Sequence, residues 1–169
     1  YSYKYIHKRD FMDLSKANFD KALDASLINH KLNGLKWISC LNPKNPREEI
    51  TNLTESINLI KKDLRTKGII TEYQFISVIL DKYDYSPTQV WFINHVVSAD
   101  KDSRFFKSYK KLLINQIKKH NIKIFYLIKP FWSDDKIFEK GLNKDCYKKT
   151  KLNDILDIYL LNECDDLKG

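Results

Sequence analysis

The chain has 169 residues, 43% of them hydrophobic and 13% aromatic, with only four Gly and four Pro. That balance suits one domain with a core of its own and excludes a disordered or linker-rich polypeptide. The net charge of +8 rests almost wholly on Lys, because Arg occurs only at Arg9, Arg47, Arg65 and Arg104; Arg is the bidentate reader of phosphate, so a basic nucleic-acid-binding module ranks behind a solvated lysine surface.

The opening segment, Tyr1 to Arg9, mixes three Tyr with Lys4, Lys8 and Arg9. Tyr and basic side chains collect just outside a membrane, and contact with an anionic membrane surface is one partner this composition suggests. With Tyr1 at the start instead of Met, the chain is expected to be a processed protein or a piece of a larger one. No run approaches the ~20 apolar residues of a membrane helix. The expected division is a juxtamembrane-like segment and helix over 1–33, one α/β domain over 34–164, and a tail at 165–169.

From Asn18, the spacing of Phe19, Ala22, Leu23, Ser26 and Leu27 predicts a helix capped by Asn18. Gly34 breaks it, and 35–40 reads as a first strand. Asn45 and Pro46 then start the clearest helix, with Glu48 and Glu49 in its first turn. Its stripe is Ile50, Leu53, Ile57, Ile60 and Leu64. Gly68 opens a second strand, Ile69-Ile70-Thr71-Glu72-Tyr73, which passes directly into a short helix over 74–82. Residues 90–97 read as a third strand or a folded loop. A strong helix returns from Ser103, with Phe106, Tyr109, Leu113 and Ile117 inward, and Asn121 ends it. Ile122 to Ile128 is the plainest strand, stopped at Lys129-Pro130-Phe131-Trp132, and a helix over about 133–140 follows. Residues 155–161 suit an edge strand or a last helix equally on periodicity. Alternating strands and helices predict a three-layer α/β/α sandwich with a mainly parallel, Rossmann-like sheet. In it, 35–39, 69–72 and 122–128 would be neighbouring strands.

Ligands of such sheets sit at the carboxyl ends of the strands. That places Thr71, Glu72, Tyr73, Gln74, Asn94, His95, Lys129 and Trp132 as the candidate ligand-binding residues. Tyr73 and Trp132 offer stacking faces, and Gln74 and Asn94 offer paired donors and acceptors suited to sugar hydroxyls. Glu72, His95 and Lys129 would be the site of a stand-alone small α/β enzyme acting on a sugar or phosphorylated substrate. No phosphate-cradling glycine loop, nucleophile elbow or paired metal-ligand spacing is written in the chain, so neither a cofactor nor a metal is expected. Of the three Cys, Cys146 and Cys164 flank the C-terminal region, where a bridge would stabilise by roughly 3 kcal/mol in the chain-entropy model. Three buried free thiols is the competing reading.

The succession Gly34-Leu35-Lys36-Trp37-Ile38, Asn45-Pro46-Arg47-Glu48-Glu49-Ile50, Ile69-Ile70-Thr71-Glu72-Tyr73-Gln74-Phe75, and Tyr109 onward to Asn121-Ile122-Lys123-Ile124 resembles the soluble C-terminal α/β domain of polytopic bacterial membrane proteins of the GT-C glycosyltransferase-like class. The resemblance covers most of 34–164, and Thr71 to Phe75 is its most specific piece. It implies a non-catalytic domain facing the periplasm, because in such enzymes the catalytic acid lies in loops between membrane helices. Its implied partners are its own transmembrane portion and a glycan or lipid-linked sugar. A stand-alone chain would instead be cytoplasmic.

Overall fold

The computed structural model describes residues 18–39, 42, 44–71, 73, 75–81, 104–129 and 141–167. The chain divides into two compact units, Tyr1–Glu55 and Ser56–Gly169, with one helix running through the division.

In the first unit, the expected helix over 18–33 is replaced by three single turns of 3₁₀ helix and a short strand. The cause is local. The side chains of Asn18, Asp24 and Asn29 accept hydrogen bonds from the backbone N–H of Asp20, Ser26 and Lys31, at 3.1, 2.9 and 3.0 Å. Each such bond restarts the backbone in a cap conformation and competes with a continuous helix. The residues turned inward are Ala25, Ile28 and Leu32, while Phe19 and Leu27 are exposed. Gly34, at φ 84°, turns the chain. Strand β1 (Leu23–Asp24) then pairs antiparallel with β2 (Lys36–Trp37). The expected strand over 35–39 is thus a two-residue segment in a sheet of its own and does not join the main sheet.

Helix α1 (Pro46–Lys62) begins with Pro at its first position, where no N–H is needed, and Asn45 donates from its side-chain amide to Glu48 at 3.1 Å. Ile50, Leu53, Ile57 and Ile60 are buried, whereas Leu64, past the helix end, is 90% exposed and leaves the stripe. The buried Lys67 closes the carboxyl end of α1: its ammonium donates to the carbonyls of Ile60 and Asp63, a cation placed where the helix dipole favours it.

Among the described residues, the second unit holds a four-stranded sheet. Its strands are β3 (Lys67–Thr71), β4 (Ile124–Ile128), β5 (Tyr147–Lys151) and β6 (Leu156–Leu161), in the order β3-β4-β6-β5. Among these four strands only β3 and β4 pair in parallel; β4–β6 and β6–β5 are antiparallel. This overturns the three-layer sandwich with a mainly parallel sheet. The physical reason lies in the link 152–155, which is far too short for the crossover a parallel pair requires, so β5 and β6 must form a hairpin. Asn153 builds its turn by accepting from the N–H groups of Ile155 and Leu156 at 3.1 and 3.0 Å.

Helix α2 (Phe75–Leu80) follows β3, and α3 (Phe106–His120) precedes β4. Asn121 ends α3 in the left-handed conformation, φ 49°, its N–H reaching the carbonyls of Ile117 and Lys118. Tyr109, Leu113 and Ile117 of α3 share one buried cluster with Ile70, Phe125, Leu127 and Tyr159 of the sheet. The interposed residue Tyr126 therefore faces the opposite side of β4, where its hydroxyl donates to Asp63. All five residues of β4 are buried. The expected strand at 90–97 and helix at 133–140 lie outside the described residues.

Candidate ligand rim at the strand ends

The parallel pairing of β3 with β4 brings two carboxyl ends to one edge, with Thr71 opposite Ile128. Thr71 Oγ1 accepts from the N–H of Tyr73 at 3.0 Å, a local turn that redirects the chain out of the strand. The Tyr73 ring lies against Phe75, centroids 5.5 Å apart, at the start of α2. On the other strand, Lys129 follows β4 directly. Its backbone N–H donates to Ile155 O at 2.7 Å, which ties the strand end to the β5–β6 hairpin.

The Lys129 ammonium reaches Asp157 Oδ2 at 3.3 Å, and Lys149 reaches the same oxygen at 3.4 Å. Register explains the convergence. Asp157 pairs with Leu127 across β4–β6 and with Lys151 across β5–β6, so Leu127, Asp157, Lys149 and Lys129 all rise on one face. Asp157 is buried, and a buried carboxylate requires cationic or hydrogen-bonding compensation. Lys149 also lies over the Tyr159 ring at 5.3 Å. Desolvation pulls the Lys149 ammonium toward neutrality, but the Tyr159 hydroxyl and the Asp157 carboxylate together outweigh it and hold the group firmly protonated.

The structure thus places Thr71, Tyr73 and Lys129 at the rim named from the sequence. Glu72, Gln74, Asn94, His95 and Trp132 lie outside the described residues, and with Glu72 and His95 lies the expected acid/base pair. Asp157 and Lys149 were missed. The signal for Asp157 was present: a single acid inside the otherwise apolar run Leu156–Leu161. Lys149 carried no such mark, because β5 reads Tyr-Lys-Lys-Thr-Lys and resembles a loop. Among the described residues, no group of three His, Cys, Asp or Glu is placed to hold a metal.

At the hairpin's open end, Cys146 and Cys164 are joined in a disulfide, with Cα atoms 5.1 Å apart. One cysteine precedes β5 and the other follows β6. Both are buried in the α3 cluster. Among the described residues, no helix is long and apolar enough to cross a membrane.

No family model matches the chain, and neither a curated protein nor a solved structure matches it.

Proposed function

We propose that this chain is a non-catalytic accessory domain of a GT-C glycosyltransferase-like membrane protein, held on the periplasmic side. The rim at the carboxyl ends of β3 and β4 is its surface for a glycan or lipid-linked sugar. The observation that carries this reading is the Cys146–Cys164 disulfide, since such bonds form and persist in oxidising compartments. The resemblance of Thr71 to Phe75 to that class of membrane proteins points the same way. At the rim, Tyr73 supplies an aromatic face for a sugar ring, Thr71 a hydroxyl, and Lys129 a cation suited to the phosphate of a lipid-linked sugar.

Two measurements test it. In intact cells expressing the gene that encodes this chain, a membrane-impermeant maleimide should modify Cys146 and Cys164 only after a reductant is added. Modification of both without reductant overturns the disulfide; no modification after reductant under unfolding conditions in intact cells, with modification once the cells are lysed, overturns the periplasmic placement. In NMR titration of the chain with glucose 1-phosphate, shifts should centre on Thr71, Tyr73 and Lys129. Lys129→Gln should weaken binding about threefold, the scale of one partly exposed ion pair. Shifts centred elsewhere would remove the rim as the sugar surface.

A further inference from the structure

A cavity of about 450 Å³ lies at the other end of the sheet, below the last turn of α3. That volume falls within the range of small-molecule sites. Its apolar wall is aliphatic throughout: Ile117 and Ile122 from α3 and its exit, Leu161 from the end of β6, and Leu167 from the C-terminal turn. Its charged lining is Lys118, Lys123 and Glu163, all exposed. Among the described lining residues, two cations against one anion give the opening a positive bias, and Lys119 and His120 add basic character to the same helix end. Among the described residues no aromatic ring lines the space, which sets it apart from a sugar-stacking surface.

The walls are fixed before any ligand arrives. Leu161 N–H donates to Lys123 O at 3.0 Å, Asn162 N–H to Cys146 O at 2.8 Å, and Leu167 N–H to Cys164 O at 3.0 Å. The disulfide pins Cys164 between these last two contacts. The carboxylate of Asp166 accepts from Asn143 N–H at 3.2 Å and pairs with Lys110 at 3.2 Å. A pre-formed wall spares a ligand the entropy of ordering it.

We infer that this cavity is a binding site for a small amphiphilic anion, with an aliphatic body against Ile117, Ile122, Leu161 and Leu167 and an acidic head at Lys118 and Lys123. The site is separate from the strand-end rim and stands whether or not the rim binds sugar. The aliphatic wall takes the carbon body, and the basic opening selects the charge.

The probe is hexanoate, with hexanol as the same body without the charge. Methyl NMR of the whole disulfide-bonded chain should show saturable shifts at Ile117, Ile122, Leu161 and Leu167 in millimolar hexanoate. Hexanol should shift the same methyls at least about threefold more weakly, as loss of one partly exposed ionic contact implies. Lys123→Gln should weaken hexanoate about threefold and leave hexanol unchanged. Glu163→Gln, which removes the opposing charge from the exposed rim, should strengthen hexanoate. Shifts that are absent, scattered over the surface or equal for the two probes overturn the site, as does a Lys123→Gln variant that binds hexanoate unaltered.

Discussion

Tyr126 is the residue whose chemistry differs most from its sequence context. It sits in a run of apolar strand residues, yet its hydroxyl donates to Asp63, which also takes the Arg65 guanidinium at 2.9 Å. Burial works to raise the Asp63 carboxyl; the bonds from Arg65 and Tyr126 outweigh it and hold the group down at about 2. An unfolded Asp titrates near ~3.9. The folded value is the depressed one, so this carboxylate stabilises the fold above that unfolded value, and the contribution fades as pH falls through about 4 toward 2. Tyr126→Phe should therefore cost about 1.5–3 kcal/mol at neutral pH, the scale of a hydrogen bond to a charged group. The deficit against wild type should shrink in acid. Urea unfolding at neutral pH and near pH 2.5 measures both, and a deficit of the same size at the two pH values would show that Asp63 is not the partner that matters. The strand was legible at this residue and its partner was not. Apolar neighbours announce burial, but the 63-residue separation from Asp63 leaves no local trace.

At the scale of elements, α1 and α3 were readable because a stripe at helical spacing carries its own burial direction. The segment over 18–33 was misread for a related reason: its apolar spacing suits a helix, but Asn18, Asp24 and Asn29 turn their side chains on the backbone. Strand β5 was missed because it is an edge strand with an exposed, lysine-rich sequence, the composition that protects edges from further pairing. One close approach between elements yields a sharp test. A Cβ built on Gly141 would lie 2.7 Å from Leu113 Cδ2 and 3.3 Å from Tyr109 Cε1. Leu113 is fully buried in the cluster and has little room to swing away. Gly141→Ala should destabilise by about 1–3 kcal/mol, the usual cost of overpacking. Adding Leu113→Val should recover part of that loss, read by thermal or urea unfolding as a non-additive pair. A Gly141→Ala protein as stable as wild type would show that the 2.7 Å approach relaxes freely.

At the scale of the whole molecule, the sequence announced strands without their directions. An apolar run states that a strand is buried; it says nothing of which neighbour it takes or which way that neighbour runs. The parallel pair β3–β4 was legible because a helix-bearing segment separates the two. The reversal at β6 was hidden in the linker 152–155, whose brevity alone forbids a crossover. The rim followed the same division. Thr71, Tyr73 and Lys129 were named because they end the legible strands, whereas Asp157 lies in 155–161, whose type periodicity left open, and Lys149 in β5, which was not read as a strand.

That hairpin also sets a clock. Its strands are joined by 152–155, β4 meets β6 across 129–155, and β3 meets β4 only across 72–123. Closing a longer loop costs more entropy before any contact rewards it. Cys146 and Cys164 lash the open end of the hairpin, so the oxidised chain begins refolding with both ends of its β5–β6 unit already together. Assembly should run from the C-terminal hairpin inward, with β3 docking last. Pulsed hydrogen exchange during refolding should protect the amide of Thr150 before those of Ile69 and Ile70, and reduction should narrow that lead by slowing the hairpin. Protection of β3 ahead of β5 in the oxidised chain would reverse this order. Until β3 arrives, β4 presents an unpaired edge, and the refolding chain passes through a period in which its most buried strand is open to a second copy of itself.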